Sequence, residues 1–121
     1  MRVLLISAMA LALQTPAIAQ GLPKQVGKCS ITRIKSVSTR LDGAPGSGSA
    51  IQFMNGGYQV SYDQVAAVDR SRRGDLVRMC LVSTPKDCPP GDDRGRVYKT
   101  TNLRTRRSWR LPDAEHMCGG A

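Results

Sequence analysis

Ala50-Ile51-Gln52-Phe53-Met54-Asn55-Gly56-Gly57-Tyr58-Gln59-Val60-Ser61-Tyr62 decides how the rest of this chain is read. Two runs that mix apolar and polar residues flank Asn55-Gly56. A two-residue type I′ turn needs positive φ at both central positions, and Asn-Gly is its preferred pair. With that turn Phe53 faces Tyr58 and Ile51 faces Val60 on one side of a ribbon. Gln52 and Gln59 face each other on the other side. The segment therefore predicts a β-hairpin with one apolar face.

Working outward, the neighbouring segments carry the same signature. Residues 31–41 are rich in β-branched side chains (Ile31, Thr32, Ile34, Val37, Thr39) and predict a strand. Ile34 breaks the alternation there, which a bulge near Lys35 reconciles. Residues 42–49 hold Gly43, Pro45, Gly46 and Gly48 and predict a loop. Residues 63–68 suit either one helical turn capped by Asp63 or irregular chain crossing a barrel end. Ser71 to Asp75 reads as a turn. Leu76 to Ser83 is the most apolar later stretch and predicts a central strand buried on both faces. Pro85 to Arg94 reads as a rigid loop. Val97–Leu103 and Ser108–Leu111 predict a final pair around Arg104-Thr105-Arg106-Arg107. Five or six short strands with no long helix predict an all-β domain. A small SH3-like or OB-like barrel stabilised by two disulfides is the economical solution, because closure removes bare strand edges; a small β-sandwich is the alternative.

The amino terminus predicts export. Met1-Arg2 is a short basic start, residues 3–13 are apolar apart from Ser7, and Ala17-Ile18-Ala19 presents small residues to a signal peptidase. The expected organisation is a signal peptide over 1–19 and a single small β domain over 20–121, periplasmic or secreted. The apolar run is too short for a membrane span, which needs about 20 residues, and no cysteine stands where a lipid anchor would need one. An oxidising destination makes Cys29, Cys80, Cys88 and Cys118 structural disulfides. Three pairings exist, and the turn-like span 84–87 favours Cys80 with Cys88, leaving Cys29 with Cys118. Zinc is disfavoured, because the cysteines do not form close pairs and there is one histidine.

The chain carries 18 Lys and Arg against 9 Asp and Glu, a formal charge of +9. The distribution narrows the reading further. From Arg94 to Leu111 the basic residues are Arg94, Arg96, Lys99, Arg104, Arg106, Arg107 and Arg110, with no acid among them. Such a local positive field raises encounter rates with anions, and guanidinium groups make two-point contacts with phosphate or carboxylate. Trp109 lies inside this segment and would either stack on a ligand ring or fill the thin core. The expected anion-binding residues are these seven basic side chains and Trp109.

Other motifs have plainer explanations. Arg73-Gly74-Asp75 matches an integrin-recognition tripeptide, but a Gly-Asp turn feeding a strand accounts for the same letters. Asp87, Asp92 and Asp93 resemble part of a calcium loop, yet calcium asks for six or more oxygens. His116 lies near Asp113 and Glu115 with no hydroxyl nucleophile placed beside them. No catalytic motif is present, so the expectation is a protein that is not an enzyme and needs no cofactor or metal.

Gly57-Tyr58-Gln59-Val60-Ser61-Tyr62, Gly74-Asp75 before Cys80-Leu81-Val82, Cys88-Pro89-Pro90-Gly91-Asp92-Asp93-Arg94-Gly95 and His116-Met117-Cys118-Gly119-Gly120 together resemble small exported bacterial proteins of uncharacterised function. That resemblance implies a bacterial envelope destination and transfers no activity, ligand or site. The expected function is a non-catalytic cell-envelope binding protein whose basic hairpin holds an anionic polymer or surface. The alternative is a protein–protein partner, such as an inhibitor of a secreted enzyme using the loop from Thr84 to Arg94.

Overall fold

A computed structural model describes residues 10–12 and 21–120. The expected signal segment lies outside the described residues except at positions 10–12. The rest is nearly all-β. Six strands form in chain order: β1 (Cys29–Thr39), β2 (Ser49–Phe53), β3 (Tyr58–Ser61), β4 (Leu76–Ser83), β5 (Val97–Asn102) and β6 (Ser108–Pro112). One helical turn, α1 (Ala66–Asp69), lies between β3 and β4. All neighbours are antiparallel, in the order β3-β2-β1-β4-β5-β6.

β1 organises this sheet. Its first half, Cys29 to Arg33, pairs with β4, and its second half, Ile34 to Thr39, pairs with β2. The register shifts between Ile34 and Ser36, so Lys35 is the extra residue of a bulge, as the broken alternation predicts. A bulge bends its strand and increases its twist. Here it turns the part formed by β1, β2 and β3 toward the part formed by β1, β4, β5 and β6. β3 and β6, the ends of the sheet, come into contact, and the result is a curled half-barrel. Both halves share β1, so the two-sheet sandwich alternative does not apply.

The core is Ile34, Ile51, Phe53, Val68, Val77, Met79, Leu81, Tyr98 and Trp109. β4 alternates, burying Val77, Met79 and Leu81 while Leu76 and Arg78 face outward. The expectation that both faces of β4 are buried is corrected: a strand carrying Arg78 at an alternate position has one solvated face.

The β2–β3 hairpin is present, but its register differs by one residue from the expected one. The Phe53 N–H donates to Gly57 O at 2.9 Å and the Gly56 N–H to Phe53 O at 3.1 Å. The loop is thus the three residues Met54-Asn55-Gly56, and of these Gly56 alone has positive φ, +87°. This is the type I turn with a glycine bulge rather than the type I′ turn. Ile51 now pairs with Gln59 and Gln52 with Tyr58. The slip turns Gln59 inward, and the interior holds a partner for every polar position of its amide. Its Nε2 donates to Tyr98 O (2.8 Å) and Leu111 O (3.0 Å). Its Oε1 accepts from Thr100 Oγ1 (2.6 Å) and Trp109 Nε1 (2.8 Å). No backbone ladder joins β3 to β6 among the described residues; a side-chain amide bridges the seam instead.

The expected Asp63 cap is likewise replaced. The helical turn starts after Val65 without a side-chain cap of its own. Ser49 Oγ, reaching from β2, accepts the Val65 N–H (2.9 Å) and donates to Asp69 Oδ1 (2.7 Å).

The disulfides are Cys29–Cys80 and Cys88–Cys118, which overturns the expected pairing. Cys29 and Cys80 stand directly opposite each other in the β1–β4 ladder. β4 runs on past Cys80 to Ser83, and with the Cys80 sulfur bonded to Cys29 Cys88 pairs elsewhere. Cys88 instead meets the tail, where the Cys118 N–H donates to Arg94 O at 2.7 Å. Two disulfides fit an oxidising compartment, and no helix among the described residues is long and apolar enough to cross a membrane.

Candidate anion-binding surface

The eight residues expected to bind anions fall into four groups. Trp109 is 5% exposed and its indole N–H is committed to Gln59, so it belongs to the core and offers no stacking surface. That part of the expectation is corrected by parity: Trp109 points inward on β6, where Ser108 and Arg110 point outward.

Arg94 and Arg96 belong to the loop closed by Cys88–Cys118. Arg94 clamps Asp92 with two contacts of 2.9 Å, and Arg96 pairs with Asp93. Asp92 also accepts the Gly119 N–H at 3.0 Å. The Arg94 guanidinium holds the Asp92 carboxyl well below the usual carboxylate range, helped by that backbone N–H. These two cations are neutralised where they stand.

Lys99 and Arg110 lie on the outward face of the sheet, directly opposite each other on β5 and β6. They make no ion pair among the described residues. Arg78 and Arg33 share this outward face from β4 and β1 by strand parity and register. Nothing acidic offsets them there, because none of the six strands contains Asp or Glu.

Arg104, Arg106 and Arg107 form the β5–β6 loop. Asn102 builds that loop: its O accepts the Arg106 N–H (2.7 Å) and its Oδ1 accepts the N–H groups of Arg104 and Thr105. Arg106 takes positive φ, 58°, and both Arg106 and Arg107 project into solvent. Arg104 reaches sideways to the preceding loop, gripping Asp75 through Nε (2.7 Å) and Nη2 (3.0 Å) and contacting Arg70 O (3.3 Å). Its guanidinium, together with Asn102 and the Arg72 N–H, keeps the Asp75 carboxyl well below the usual range against the opposing effect of burial. Asp75 is thereby occupied, and the Arg73-Gly74-Asp75 tripeptide presents no free carboxylate.

This cross-loop clamp gathers arginines that the linear segment does not contain. It brings the turn with Arg70, Arg72 and Arg73 beside the loop with Arg104, Arg106 and Arg107, and the Arg33 guanidinium donates to Gly74 O at 2.8 Å. Seven arginines thus meet two aspartates, Asp69 and Asp75, at one end of the half-barrel. Arg94 and Arg96 lie at the other end, about 20 Å away along β5 at roughly 3.3 Å per residue. Sequence reading missed Arg33, Arg70, Arg72, Arg73 and Arg78, because they are scattered over 46 positions of chain. The signals available were the alternation within β4, which puts Arg78 outward, and the arginine-rich turn before it.

His116 is exposed, Asp113 accepts the Gly95 N–H (2.8 Å), and Glu115 pairs with Arg40 (2.9 Å). Asp113 and Glu115 are thus each engaged with a partner other than His116. Among the described residues no cluster of His, Cys, Asp or Glu is arranged to hold a metal ion.

Compared with known proteins, the chain matches no family model, no curated protein and no solved structure.

Proposed function

We propose that this chain is a non-catalytic binding module of the cell envelope, exported and then held on an anionic polymer or surface. The contact is the arginine-rich end formed by the turn at 70–75 and the loop at 103–107, continued over the outward face by Arg78, Lys99 and Arg110. The observation that carries the reading is the charge imbalance at that end, set against strands wholly free of acid. Like charges gathered on one surface repel one another, and an anionic partner relieves that repulsion. Arginine suits the role, since its planar fork meets phosphate, sulfate or carboxylate with two hydrogen bonds.

Retention on a heparin column against a salt gradient tests this reading. Each cation near an anionic surface contributes about 1 kcal/mol, so the Arg106→Ala/Arg107→Ala double variant should bind roughly tenfold to thirtyfold more weakly. The Arg94→Ala/Arg96→Ala variant removes the same formal charge from the already neutralised loop and should elute close to the parent. Equal shifts for the two variants, or no retention even at low salt, would reject the proposed contact.

A further inference from the structure

We propose that the arginine-rich end docks on a bilayer of anionic phospholipid, its arginines meeting the phosphates and two leucines entering the interface. The inference rests on the anion-binding reading and names the surface that is bound. Leu76 and Leu103 are 39% and 45% exposed. They are neighbours: the Leu103 N–H donates to Leu76 O at 2.9 Å. Arg33 and Arg104 line the same shallow cleft as these leucines, and Arg106 and Arg107 follow in the loop. A soluble polyanion satisfies guanidinium groups and has nothing to offer exposed leucines. A bilayer interface answers both, because its phosphate plane lies a few ångströms above an apolar boundary. Arginine also suits that depth, since its stem can lie along apolar surface while the head stays with the phosphates. Two partly exposed leucines give reversible attachment that depends on charge, rather than permanent insertion.

The test is co-sedimentation of the oxidised full chain with phosphatidylcholine vesicles, with and without phosphatidylglycerol, run beside heparin retention. Binding is expected to require phosphatidylglycerol. In the Leu76→Thr/Leu103→Ser variant it should fall about tenfold, as expected for losing part of two leucine burials, with heparin retention unchanged. Leu103→Ser alone, a loop substitution that spares the strand, should give part of that loss. Heparin retention without vesicle binding overturns the lipid proposal and leaves the polymer reading standing. Failure on both supports rejects both. Vesicle binding indifferent to the leucines, or a leucine variant that loses heparin as well, also overturns interfacial docking.

Discussion

Gln59 shows how one side chain can fix the relation between distant strands. It is fully buried, and its amide makes four hydrogen bonds, to Tyr98, Thr100, Trp109 and Leu111. An amide offers two donor hydrogens and two acceptor lone pairs, so all four positions are used. Gln59→Leu keeps the approximate shape while leaving the Trp109 N–H and the Thr100 hydroxyl unpaired in the interior. Each such group left buried costs about 1–3 kcal/mol, so the variant should lose roughly 3 kcal/mol, read as a lower midpoint in urea denaturation. A loss below about 1 kcal/mol would show that water replaces the amide and that the seam does not depend on it. Gln59 also marks the limit of reading this hairpin from its letters. Apolar pairing of Phe53 with Tyr58 is the sensible local choice. A polar residue turns inward only because Thr100 and Trp109, some 40 to 50 positions later, stand ready to receive it.

The strands separate what was legible from what was not. Periodicity exposed the β5–β6 hairpin, the position of β4 and the bulge at Lys35, because each depends on residues close in sequence. The disulfide pairing was hidden, since it rests on β1 lying beside β4 with Cys29 opposite Cys80. The site was half visible for the same reason. The basic run from Arg94 to Arg110 is plain in the sequence, but its neutralised and free members look alike until Asp92, Asp93 and Asp75 are placed. At this scale the pairing of Lys99 with Arg110 makes its own prediction. Like charges directly opposite in an antiparallel pair are destabilising, and an opposite-charge pair contributes roughly 0.2–1 kcal/mol. Arg110→Glu should therefore raise the thermal midpoint slightly at low salt while weakening heparin retention. A variant that is less stable, or that binds as tightly as the parent, would contradict the view that this cation is kept for a ligand.

Across the whole molecule, charge is sorted by location. Among the described residues the acids occupy the loops and the helical turn. Arg33, Arg78, Lys99 and Arg110 line the outward face while further arginines crowd one end, and Arg94 and Arg96 stand paired with their acids at the other. The interior is closed by a polar bridge. A domain this small needs support to hold such a surface. Cys29–Cys80 and Cys88–Cys118 span 51 and 30 residues, and on the chain-entropy model each contributes about 4 kcal/mol. One bridge ties β1 to β4 on the same outward face as Arg78 and Lys99, and the other pins the tail to the loop at the far end. The measurement that bears most directly on this arrangement is a two-dimensional amide NMR titration with a heparin oligosaccharide. Saturable shifts are expected at Arg72, Arg73, Arg106 and Arg107, extending to Lys99, with Asp92 to Arg96 unmoved. Shifts centred on the Cys88–Cys118 loop, or spread evenly over every basic residue, would contradict it.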